Sequence, residues 1–165
     1  MSAPGLPFFV YGTLRPGEVN HGLLLRGRTL REEPARLTGA VLYRGPGYPY
    51  AVEEPGGTVT GEIVTPLPGA YARLLAELDR LEEYAPGDPH NLYERVAREV
   101  EVMPAHPVAG RDAPRRAAVL GGPAPRPARD RVLVRAWVYV AAPAVAARLR
   151  ADGEPIADGT WHTRP

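Results

Sequence analysis

Apolar positions along this chain fall into short runs and alternations, and one stretch repeats with a helical period. Leu6–Tyr11 is an apolar run ending at Gly12, the pattern of a buried strand that feeds a tight loop. A helical turn is predicted around Asn20–Arg26, a strand over Thr38–Tyr43 and a turn over Gly45–Pro49. Thr58–Thr65 alternates as a third strand, in which Gly61 marks a bulge or a close backbone approach. Pro68-Gly69 opens the clearest helix, Ala70–Tyr84. Asn91–Val102 then alternates along its whole length, with Leu92, Val96, Val100 and Val102 in phase, and predicts a long strand. Arg131–Ala141, rich in valine and aromatic residues, predicts a strand buried on both faces. Pro143–Arg150 suits a short helix opened by proline. Gly153–Pro165 has no period but contains Trp161, whose indole is expected to plug a core.

Strands interrupted by one strong helix, without regular alternation, predict an α+β fold: a small mixed or antiparallel β-barrel with flanking helices. A length of 165 residues makes 1–165 a single domain. Pro104–Asp130 differs in kind. It is dominated by Pro, Ala, Gly and Arg with no apolar period, and reads as a mobile surface insertion.

Composition removes several chemistries. Apolar residues make up 44% of the chain and charged residues 24%, enough for a real core. The net charge of +1 carries no whole-chain footprint for nucleic acid. No apolar run is long enough to span a membrane, and Met1–Pro7 is too short for a secretory signal. There is no cysteine, hence no disulfide or thiolate nucleophile, in keeping with a cytoplasmic location. Lysine is absent too, which excludes Schiff-base chemistry and a Walker-type phosphate loop. The sole serine is Ser2, in a terminus expected to be loose, which argues against a Ser-His-Asp hydrolase. His21, His90, His106 and His162 lack metal-ligand spacing.

The most informative position is Glu82. On a helical wheel Tyr71, Leu74, Leu75, Leu78 and Leu81 occupy an arc about 120° wide, and Glu82 falls inside it. Asp79, Glu77 and Glu83 fall outside. A carboxylate on an apolar face is desolvated, which raises its pKa and suits it to proton transfer near neutrality. The alternative is a frayed last turn from which Glu82 bends into water. A second candidate is Tyr11-Gly12-Thr13-Leu14-Arg15, where a strand enters a glycine turn. Successive N–H groups there can converge on an anion or an oxyanion, or the segment is a plain turn.

Taken in order, YGTLR after an apolar strand, His21-Gly22-Leu23-Leu24, Tyr48-Pro49, Gly61-Glu62, Leu78-Asp79-x-x-Glu82, Tyr93-x-Arg95 and Gly159-x-Trp161 resemble the gamma-glutamyl cyclotransferase-like family. The resemblance implies a barrel with a pocket at its mouth. It also implies a cofactor-independent enzyme that closes a γ-glutamyl group into 5-oxoproline and releases the attached amine. It assigns the general acid/base to Glu82 and glutamyl binding to Tyr11, Gly12, Thr13 and Leu14, with Tyr93 lining the pocket. Arg95 shares the phase of Tyr93, so it sits nearby or is an ordinary surface arginine. The implied partner is a small γ-glutamyl substrate, with no metal, nucleic acid or membrane. One departure stands out: relatives often have glycine after the glutamate, and this chain has Glu83. Two readings of other classes stay open, a non-catalytic small-ligand-binding module on the same barrel and an interaction protein working through its Arg-rich insertion. Trp137 and Tyr139 read as core residues of their strand, with Tyr139 able to face the pocket.

Overall fold

A computed structural model describes residues 5–103 and 132–161. Five strands close a barrel: β1 (Phe8–Val10), β2 (Thr29–Arg44), β3 (Pro49–Pro66), β4 (Tyr93–Val102) and β5 (Val132–Ala141), in the order β1-β3-β2-β4-β5. Neighbours run antiparallel except at the closure, where β1 pairs parallel with β5 through Phe8 and Trp137. The mixed barrel with flanking helices is therefore the fold the residue pattern predicts. The predicted insertion Pro104–Asp130 lies outside the described residues, as do Ser2, His106 and His162.

Buried residues separate into two clusters, one on each face of the barrel wall. One fills the interior: Phe9, Leu37, Leu42, Val59, Ile63, Val100 and Val138. The other joins the outer wall to the helices and includes Phe8, Val10, Val64, Leu74, Leu78, Tyr139 and Val145. β1 contributes to both, which is why its run is apolar without alternation. At Gly61, an added Cβ would meet the Val10 carbonyl oxygen at 2.1 Å. The glycine predicted to mark a close approach does so. Trp161 packs half-buried against the interior cluster, as expected.

Two strands extend well beyond their alternating cores. β2 includes the predicted Thr38–Tyr43 and β3 the predicted Thr58–Thr65, and they form one long hairpin from Thr29↔Pro66 to Arg44↔Pro49. The register breaks between Thr38 and Ala40, where Gly39 takes φ +85°. Such a bulge resets the inward–outward phase, so the strand does not read as one alternation. β5 departs in the other sense. Val132 and Leu133 are 57% and 56% exposed, and both faces are covered only from Ala136 onward. Its first half lies beyond the helical cover.

A single π-helical turn, His21–Leu25, stands within the predicted Asn20–Arg26 segment. α2 (Pro143–Asp152) starts at its proline and buries Val145 and Ala146. α1 (Tyr71–Leu81) is shorter than the predicted Ala70–Tyr84: a 3-10 turn, Pro68–Ala70, precedes it, and Glu82 is its C-cap. The end is closed by Glu83 N–H to Arg80 C=O (3.1 Å) and Tyr84 N–H to Asp79 C=O (2.8 Å), the paired bonds of a Schellman motif. That motif needs a left-handed residue, and Glu83 supplies it at φ +52°. A side chain there costs about 1–2 kcal/mol relative to the right-handed region, partly offset by the entropy glycine gives up. Glu83→Gly is therefore expected to raise unfolding free energy by about 1 kcal/mol, measured as a higher urea midpoint with an unchanged slope. No helix among the described residues is long and apolar enough to cross a membrane.

Candidate active site

The loop after β1 is pinned from three sides. Gly12 C=O accepts Arg15 N–H (3.0 Å), and Thr13 C=O accepts Asn20 N–H (3.1 Å). Asn20 Nδ2 also donates to Thr13 Oγ1 at 2.7 Å. Arg15 grips Glu62 of β3 through two bonds of 2.9 and 3.0 Å and donates to the Trp161 carbonyl at 3.2 Å. Within this frame no hydrogen bond among the described residues engages the N–H groups of Gly12, Thr13 or Leu14. Among the described residues these donors have no partner, the requirement for an anion or oxyanion nest.

Tyr11 plays a different part from its neighbours. Its ring belongs to the interior cluster, and its hydroxyl donates to the Tyr139 carbonyl and accepts the Ala51 N–H. The side chain is a strut across the barrel that fixes where the loop begins. Tyr93, at the start of β4, stacks on Tyr50 (centroids 4.7 Å apart) and donates to the Pro49 carbonyl at 2.8 Å.

Glu82 sits where α1 ends, one turn beyond buried Leu78, with its N–H still bonded to the Leu78 carbonyl at 3.0 Å. It does not bend away to bulk water: the residue is half-buried, and burial pushes its carboxyl up to about 7 from an ordinary 4.5. The hydroxyls of Tyr11, Tyr93 and Tyr139 are all held above the usual phenol value. Burial is the largest cause in each, and the Glu82 charge adds to all three. Carboxylate and phenols thus share one electrostatic neighbourhood. Glu82, Tyr11, Gly12, Thr13, Leu14 and Tyr93 line a single cavity of about 250 Å³, together with Asn20, Glu83 and Tyr139. Glu82 and the residues expected to bind the glutamyl group or line the pocket thus reach one space, as does Tyr139, whereas Arg15 and Arg95 do not line it.

Behind the cavity stands a polar network that the residue pattern did not reveal. Asp79 receives two bonds from Arg95 (2.9 and 3.2 Å) and one from the Tyr139 hydroxyl (2.6 Å). Asp79 lies just past the edge of the apolar arc, and its side chain is only 20% exposed. Arg95 is no ordinary surface arginine. It is 14% exposed, with its guanidinium 4.3 Å from the Trp137 ring centroid and 5.4 Å from that of Tyr84. Trp137 in turn donates to the Tyr71 hydroxyl at 3.0 Å. This lattice ties β4, β5 and α1 together beside Glu82. Its sequence signal was the pair of motifs Leu78-Asp79-x-x-Glu82 and Tyr93-x-Arg95, in which Asp79 and Arg95 face each other.

Known proteins share the fold of this chain and part of its sequence. The chain is 39% identical over 93 residues to the gamma-L-glutamyl-butirosin B gamma-glutamyl cyclotransferase of Niallia circulans, a match covering 56% of each protein. It thus spans about half the length of that curated relative. Among solved structures it resembles YkqA from Bacillus subtilis (TM-score 0.54, 22% identity, 96% of this chain and 40% of that one). It also resembles an AIG2-like protein from Mus musculus (TM-score 0.52, 25% identity, 83% of this chain and 77% of that one). The model of the family described as gamma-glutamyl cyclotransferase, AIG2-like, matches residues 8–163, nearly the whole chain, and the protein belongs to that family.

Proposed function

We propose that this protein converts a γ-glutamyl amine or γ-glutamyl amino acid into 5-oxoproline and the free amine, with Glu82 moving the proton. The reading rests above all on one observation: a half-buried carboxyl with its pKa raised to about 7 shares a small cavity with the Gly12–Leu14 loop, whose N–H groups have no partner among the described residues. The family membership of residues 8–163 supports the same class of reaction.

The chemistry is intramolecular and needs a folded-over substrate. Glu82 as carboxylate takes a proton from the α-ammonium. The freed amine attacks the γ-carbonyl carbon, a C–N bond forms, and the carbonyl oxygen becomes an oxyanion. The loop N–H groups are suited to receive that charge. Glu82, now a carboxylic acid, returns the proton to the departing nitrogen as the original C–N bond breaks. The ring nitrogen also carries a surplus proton once the new bond has formed; Glu82, a carboxylate again, takes it and passes it to the released amine, so two of the three ammonium protons end on the leaving nitrogen and Glu82 finishes as it began. A carboxyl near 7 suits both directions, because it is close in basicity to the amine it must deprotonate and to working pH. Cavity walls that hold the bent conformer supply effective molarity for ring closure.

The test is a panel of γ-glutamyl amines and γ-glutamyl amino acids incubated with the full chain, with 5-oxoproline and free amine quantified. Equimolar release of the two products from at least one member is expected. Ligand-dependent thermal stabilisation without product across the panel would instead mark a binding module.

A further inference from the structure

The motif His21-Gly22-Leu23-Leu24 contributes nothing to the cavity wall. It belongs to the π-helical turn that follows the glycine loop, and its histidine reaches β2 instead. His21 Nε2 lies 2.6 Å from Glu32 Oε2, with the two side chains only 16% and 22% exposed. A carboxylate can only accept, so Nε2 is the donor. The Thr29 hydroxyl donates to the same oxygen at 3.3 Å, which fixes where that acceptor stands. Val19 and Leu23, 69% and 71% exposed, give this end of the turn no apolar hold. His21 therefore ties its neighbour Asn20 to the barrel wall. The pairing of Pro34 with Glu62 and of Glu32 with Val64 puts both carboxylates on one face of the β2–β3 hairpin. One holds Arg15, where the glycine loop ends, and the other holds His21, just beyond Asn20.

A trans peptide is planar, with its C=O and N–H pointing in opposite directions, so whatever holds the oxygen aims the hydrogen. The Thr13 carbonyl shares its peptide with the Leu14 N–H, and it accepts the Asn20 N–H. The Leu14 donor has no partner of its own among the described residues. We propose that His21 is a positioning residue: anchored on Glu32, it holds Asn20 against Thr13 and so directs the Leu14 N–H toward the oxyanion that forms in the cavity. That it serves the reaction rests on the cyclisation reading; the mechanical link from β2 to the loop does not.

The experiment is steady-state kinetics of the full chain on whichever γ-glutamyl compound yields most 5-oxoproline. His21→Phe keeps a ring and loses the donor. It is expected to lower kcat about 30-fold, since a misplacement of about 1 Å can cost a hundredfold. KM should stay within about threefold, because the oxyanion exists only on the way to product. In His21→Gln the side-chain amide donates from nearly the same place, and kcat should stay within about fivefold of the wild type. Glu32→Leu, the second variant should His21→Phe fail to fold, is expected to match its loss. The double variant should be no slower than the slower single one, because both changes open one link. An unchanged kcat in the two single variants, a loss carried by KM alone, or losses that multiply would overturn the assignment. Amide exchange followed by NMR needs no turnover. The Asn20 N–H should exchange at least ~10-fold faster in His21→Phe, while the Ile156 N–H, bonded to the Leu42 carbonyl near the other end of β2, is unchanged. Should no γ-glutamyl compound yield 5-oxoproline in the wild type, the cyclisation reading falls, and the exchange still decides the link; equal Asn20 exchange in the two proteins would break it.

Discussion

Glu82→Gln is expected to lower the rate of 5-oxoproline formation roughly thousandfold, within the 10²–10⁴-fold that a positioned acid–base group typically contributes. Glutamine keeps the shape of glutamate at the end of α1 and loses only the exchangeable proton. The helix end is held by backbone bonds from residues 82, 83 and 84, none of which uses the Glu82 side chain. A rate loss without unfolding therefore reports chemistry. The pH profile adds a second signature. For the wild type, kcat/KM should rise as Glu82 loses its proton, with a midpoint at about 7. In the variant that step disappears, and whatever slope remains belongs to the substrate amine. Equal turnover by the two proteins would remove Glu82 from the mechanism.

How much of this was legible in the sequence follows from how local each feature is. Glu82 could be found because its surroundings are set by one helix: Leu78 and Leu74 lie one and two turns earlier on the same side, and both are fully buried. The strand-to-glycine loop at Tyr11–Leu14 was visible for the same reason. Asp79 was not, because its partners Arg95 and Tyr139 come from two other strands, and only barrel closure brings them together. Nor does the sequence show that the Tyr11 hydroxyl is spent on the Tyr139 and Ala51 backbone. The lengths of β2 and β3 were hidden by the phase break at Gly39. Glu83 is an intermediate case. Its departure from glycine is plain in the sequence, but the left-handed φ that makes glycine preferable there is a property of how α1 ends.

The same Glu82→Gln protein is expected to be more stable than the wild type at alkaline pH. Burial raises the Glu82 carboxyl from 4.5 to about 7 in the folded state. Below pH 4.5 the group is protonated in both states and contributes no penalty. Between 4.5 and about 7 the unfolded chain releases a proton that the folded chain retains, so unfolding becomes steadily easier. Above that window the carboxylate is charged in both states, and folding bears the whole desolvation cost, about 3 kcal/mol. Glutamine carries no such cost. Urea unfolding at pH 4, 6 and 8 should show the two proteins nearly matched at the lowest pH and progressively separated in favour of the variant, by up to about 3 kcal/mol at pH 8. A constant difference across that range would mean that the carboxyl is not desolvated. Loss of turnover together with a gain in stability cannot come from damage to the fold. It is the pattern expected when a protein holds a charge in a poorly solvated place because the reaction, and not the scaffold, requires it there.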